Sequence, residues 1–168
     1  MQLKRFVAPA ALILAMPLAL GVFAASQVSE TDSTFLQKAA QANAAEVKVS
    51  QAAQTRAKDK AITAFADRMV KDHSDAGHKL EALAKQKNVA IKTEPDPDHM
   101  MKIGKLQKLE GAEFEKAYAA LMVEDHHAAV QLFEQAAKDA QDSDIKQFAQ
   151  TTLPTLQEHS KMAEALPH

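Results

Sequence analysis

Apolar residues along this chain recur at alternating intervals of four and three. That spacing is the stripe a helix buries when it packs against others. Four long helices follow from it. The first covers residues 33–57, with Phe35, Ala39, Ala42, Glu46, Val49 and Ala53 on its seam. Thr31, Asp32 and Ser33 are its candidate N-caps. The second covers residues 59–88, with Ile62, Ala66, Met69, His73, Ala76, Leu80 and Leu83. The third covers residues 112–141, with Ala119, Met122, His126, Ala129, Phe133, Ala136 and Ala140. The fourth covers residues 144–166, with Ile145, Phe148 or Ala149, Thr152, Leu156, His159, Ala163 and Leu166; Pro154 inside it predicts a kink.

Between the second and third helices the pattern breaks. Pro95 and Pro97, alternating with Asp96 and Asp98, predict a loop. A short helix follows, with Met100, Ile103, Leu106 and Leu109 on one face, ended by Gly111 and placed across the end of the bundle. No segment alternates like a strand. The expected fold is all-α: an up-down four-helix bundle with a short extra helix between helices 2 and 3, occupying residues 33–168 after a linker at 25–32.

Composition agrees. Glycine and tryptophan are scarce, with 4 and 0 residues, as expected of helix-forming material with few turns. The first 24 residues are different. Lys4 and Arg5 precede an apolar run over residues 6–24, and Val22 and Ala24 stand at −3 and −1 of a cleavage site. This reads as a signal peptide cut after Ala24, which sends the chain to the periplasm. Pro9 and Pro17 interrupt the run and weaken the alternative of a retained anchor. With 0 cysteines, a lipid anchor, a disulfide framework and thiolate metal ligation are all excluded. Lysine and arginine number 20 against 22 acids, and the two signs are interspersed, so no nucleic-acid surface is expected. No stable membrane span remains after cleavage, and no exposed aromatic patch names a protein partner.

The informative departures are polar residues on apolar seams. Glu46, His73, His126 and His159 sit one per helix, and burying such groups is costly unless they are paired or bind a metal. Their heights agree. Glu46 lies 12 residues before the junction at Lys58 and His73 15 after it; His126 lies 17 before Ser143 and His159 16 after it. At about 1.5 Å per residue the two pairs differ in level by only roughly 4.5 and 1.5 Å. All four are therefore candidate metal ligands at mid-height, a donor set suited to zinc, iron, copper or manganese.

Asp72 and Asp125 each precede a seam histidine. Neighbours on a helix point about 100° apart, so each aspartate would orient a histidine of another helix or stand at the rim. Tyr118, Met69 and Met122 lie beside the same layer. Thioethers there would favour copper, though methionine is also an ordinary core filler. The competing expectation is a non-catalytic structural or stress-related interaction module of the cell envelope, whose hydrogen-bonded polar layer fixes helix register and holds no metal. His78 and His127 fall off the seams and are read as surface residues. Hydrolase, nucleotide-binding, zinc-protease and haem-attachment motifs are all missing, so binding or structural work is expected rather than catalysis.

The second and third helices also repeat each other: Phe65-Ala-Asp-Arg-Met-Val-Lys-Asp-His73 aligns without gaps on Tyr118-Ala-Ala-Leu-Met-Val-Glu-Asp-His126. These runs, with Asn43-Ala-Ala-Glu46-Val, Gly111-x-x-Phe114 and Thr152-Leu-Pro154-x-Leu-x-x-His159, resemble the domain of unknown function 4142 family. The resemblance covers nearly all of the chain after the leader. It implies an exported bacterial protein with a ferritin-like bundle, and it carries the family's recurring polar positions onto Glu46, His73, His126 and His159 with Asp72 and Asp125. It implies no reaction. Inward Glu-x-x-His pairs, which ferritins use, do not occur here, so ferroxidase or iron-storage activity is not implied.

Overall fold

The computed structural model describes residues 28–167, so the expected signal peptide and the first three linker residues lie outside the described residues, and the end of the expected linker, from Glu30, is already helix. The described residues form five helices: α1 (Glu30–Arg56), α2 (Lys60–Gln86), α3 (Pro97–Leu106), α4 (Gly111–Asp139) and α5 (Ser143–Glu164). The described residues contain no strand. No helix among them is long and apolar enough to cross a membrane.

Side chains that satisfy orphan backbone N–H groups set most of the helix starts. Ser29 accepts from Asp32 N, Asp59 from Ala61 N and Ile62 N, Asp96 from His99 N, and Asp142 from Asp144 N and Ile145 N. Thus Ser29 caps α1, in place of the three residues expected from sequence. Asp32 does something the sequence did not announce. It is buried and accepts from Gln141 N and Asp142 N, which pins the α4–α5 turn to the start of α1. Asn88 closes α2 in the left-handed region, with φ 56°, while Val89 N bonds Ala84 O and Asn88 N bonds Lys85 O. That is a Schellman ending. Gly111 does not end the short helix, which stops at Leu106; at φ +54° it opens α4 in a conformation that suits only glycine well. Pro154 lies within α5, which continues on both sides of it.

Two apolar clusters fill the interior. One holds Val49 and Ala53 late in α1, Ile62 and Phe65 early in α2, Phe114 and Tyr118 early in α4, and Ala163 from the end of α5. Ile103 and Leu106 of α3 close this end, whereas Met100, expected on the same buried face, is exposed. The other cluster joins Phe35 and Leu36 of α1 to Leu80 and Leu83 of α2, Phe133 and Ala136 of α4 and Ile145 and Ala149 of α5.

These groupings fix the direction of every helix and correct the simple alternation expected from sequence. α2 and α4 both run from the first cluster to the second, and α1 and α5 both run back. The connection from α2 to α4 therefore returns along the bundle, touching the second cluster at Val89 and Ile91 and the first at Ile103 and Leu106. α1 packs on α2 and α4, and α5 on α4 and α2, so parallel helices occupy opposite corners.

Candidate metal centre

Between the two apolar clusters lies a polar layer. Glu46, His73, His126 and His159 are 2%, 4%, 0% and 1% exposed, so none has useful access to water. The three imidazole rings stand with centroids 5.4 to 5.6 Å apart. One nitrogen from each can be chosen so that all three lie within 4.8 Å of one another.

The other nitrogen of each ring is held from behind. His126 Nδ1 donates to the carbonyl of Met122, one turn earlier, at 2.9 Å. His159 Nε2 donates to Asp72 Oδ2 on α2 at 3.0 Å. His73 Nδ1 donates to Asn43 Oδ1 at 3.1 Å and sits 3.0 Å from Glu46 Oε2. Gly77 leaves room for that amide: a Cβ there would come within 2.9 Å of Asn43 Nδ2. In a neutral ring such a bond fixes the tautomer and leaves the lone pair on the other nitrogen. Those other nitrogens, His73 Nε2, His126 Nε2 and His159 Nδ1, are buried and have no hydrogen-bond partner.

Glu46 takes a different place from the three histidines. It reaches the polar layer, but on the Nδ1 side of two rings: its oxygens lie 3.0 Å from His73 Nδ1 and 3.7 Å from His126 Nδ1. The free Nε2 atoms are on the far sides of those rings. Glu46 thus stands behind the imidazoles rather than among their free nitrogens.

Charge follows the same geometry. Burial works to raise the Glu46 carboxyl, but His73 and His126, the bond to His73 and then His159 hold it down at about 2. His159 is pushed down to about 4 by burial and by the neighbouring His73 and His126, against the pull of Asp72. His73 is shifted upward: burial opposes this, and the charge and contact of Glu46 outweigh it.

The remaining expected residues divide. Asp72 orients a histidine of another helix, as anticipated, and is itself held by Arg68 Nε at 2.7 Å. Asp125 does not; its partner is Lys102 Nζ of α3 at 2.8 Å, a link that no local sequence pattern marks. Burial pushes its carboxyl up, against Lys102 and with the help of the Glu46 charge. Tyr118 likewise bonds Ser50 Oγ at 3.0 Å rather than a histidine, and burial shifts its hydroxyl upward. Met69 and Met122 belong to the apolar cluster at the α3 end, and Met122 serves the layer through its carbonyl. His78 and His127 are exposed, and His127 Nε2 pairs with Glu164.

Fold and layer together define an all-helical bundle with a buried cluster of three histidines that could hold a metal ion. The chain belongs to the family described as Domain of unknown function (DUF4142), whose model matches residues 18–166. No curated protein matches the sequence. Among solved structures it is similar to the crystal structure of a DUF305 fragment from Deinococcus radiodurans, with TM-score 0.73 and 16% identity, covering 82% of this chain and 95% of that one. At that identity the likeness extends to the fold alone.

Proposed function

We propose that this protein is an exported, ferritin-like four-helix bundle that binds one transition-metal ion through His73, His126 and His159. One observation carries the reading: the three buried histidines each offer a nitrogen within 4.8 Å of the others, and one nitrogen of each ring, like Glu46 Oε1, has no hydrogen-bond partner. Like groups gathered in that way repel one another, and an unpaired buried polar atom costs about 1–3 kcal/mol. A cation removes both penalties at once. Bonds of about 2.0–2.1 Å would draw the nitrogens closer than their present spacing, which small side-chain rotations supply.

The donors also narrow the ion. Three imidazoles suit zinc, copper or iron, and manganese less, because its preferred oxygen donors are not in the set. Glu46 and Asp72 would then act from behind as carboxylates that fix the rings and raise their basicity. Glu46, kept ionised, also offsets part of the ion's charge. Export rests on the basic and apolar N-terminal residues.

Elemental analysis of protein purified without a histidine tag tests the reading, with about one ion per chain expected. His73→Ala and His126→Ala should each lower affinity more than ~100-fold, beyond the loss typical of supporting residues. His78→Ala should leave it unchanged. A metal-free wild type that takes up no added zinc, copper or iron would instead support a register-setting polar layer.

A further inference from the structure

Three protein ligands leave a tetrahedral ion one position short, and metal sites of that kind admit a further molecule. Glu46 stands behind the rings, so no described carboxylate joins the nitrogen cluster. Beside the layer there is a cavity of about 40 Å³ whose wall includes His73 and His159. Apolar side chains such as Leu80, Phe133 and Phe148 make up one part of the remaining wall, and Asn43, Glu46, Asp72, Thr152 and Thr155 make up another.

Size decides what fits. A single water needs roughly 10–15 Å³ on this measure, so the cavity takes two or three atoms in a row and excludes a five-membered ring. The carboxylates of Glu46 and Asp72 in the wall disfavour a free anion, so an anionic guest would depend on the charge of the ion to enter. A wider groove of about 450 Å³ between α1 and α2 shares Asn43, His73 and Leu80 with the cavity, so only side chains separate the two there.

Building on the metal reading above, we infer that the ion at His73, His126 and His159 takes its last ligand from outside: a small inorganic molecule of two or three non-hydrogen atoms, seated in the cavity against Phe133 and Phe148. The centre then works on, or senses, molecules of that size and is closed to larger ligands.

Cobalt(II) loaded into the full exported chain gives a visible spectrum that reports its ligands. Azide, with three atoms, should change that spectrum in saturable fashion; imidazole, with five ring atoms, should not. Phe148→Ala should enlarge the cavity and admit imidazole, with at least about a 10-fold gain in its affinity over the wild type, a difference of about 1.4 kcal/mol. A wild-type spectrum indifferent to azide, or one that responds equally to imidazole, overturns the inference while the metal site stands. Failure to bind cobalt, zinc or copper at all overturns both.

Discussion

α2 and α4 carry the same Met-Val-x-Asp-His run and lie parallel at opposite corners, yet their aspartates have different fates. Asp72 crosses to α5 and holds His159, whereas Asp125 is held by Lys102 from α3. The half-turn that carries α2 onto α4 also carries α5 onto α1. On α1 the polar residue at this level is Glu46, and a carboxylate gives an aspartate nothing to orient. Asp125 is left buried near a second negative charge, which helps shift its carboxyl upward, and α3 supplies the neutralising lysine. A repeated motif therefore fixes where a side chain stands; the facing helix decides what it does.

Metal affinity separates the two corners most widely. Asp72→Asn should weaken binding roughly 10- to 100-fold, as loss of a carboxylate behind a ligating histidine does. Asp125→Asn should change it by less than about 3-fold, since it bonds no ligand. Equal losses in a competition titration would erase the contrast.

Acid should act first on the Asp72 corner. The folded-state value of His159, about 4, lies below the 6.5 of a free imidazole. The unfolded chain therefore takes up this proton first. The stability that the neutral ring contributes is complete above about pH 6.5 and gone once pH falls through 4. In metal-free protein, the melting temperature of wild type relative to His159→Gln should drop by roughly 5 °C or more between pH 7 and pH 4. A constant difference would show that His159 stays ionisable in the fold.

A smaller effect compares the two cations. Lys102→Met leaves Asp125 buried without its partner and should cost about 1–3 kcal/mol in a denaturant melt. Arg68→Ala removes a solvent-accessible partner of Asp72 and should cost less than that. The reverse order would mean that α3 adds little to that corner.

Sequence alone exposes much of this because a charged residue on an apolar seam breaks a strong rule. Glu46, His73, His126 and His159 stood out for that reason, and counting residues to each junction put them at one height. Direction was hidden: the stretch from Lys87 to Glu110 is long enough either to stay at one end or to return along the bundle, and only Ile103 and Leu106 packing at the far cluster decides. Helical spacing puts Glu46 in the layer but does not give which side of a neighbouring ring its oxygens meet. Lys102 and Asp32 were missed because their partners lie 23 and 109 residues away and no periodicity links them.

The return connection has a practical meaning for assembly. It divides the molecule into two hairpins, one contributing Glu46 and His73 and the other His126 and His159, and it passes through the exposed stretch Lys92, Thr93 and Glu94. Neither half owns enough imidazoles to grip an ion firmly. A chain nicked in that stretch becomes a split protein, and an ion at the seam would act as the glue whose supply determines how tightly the halves rejoin.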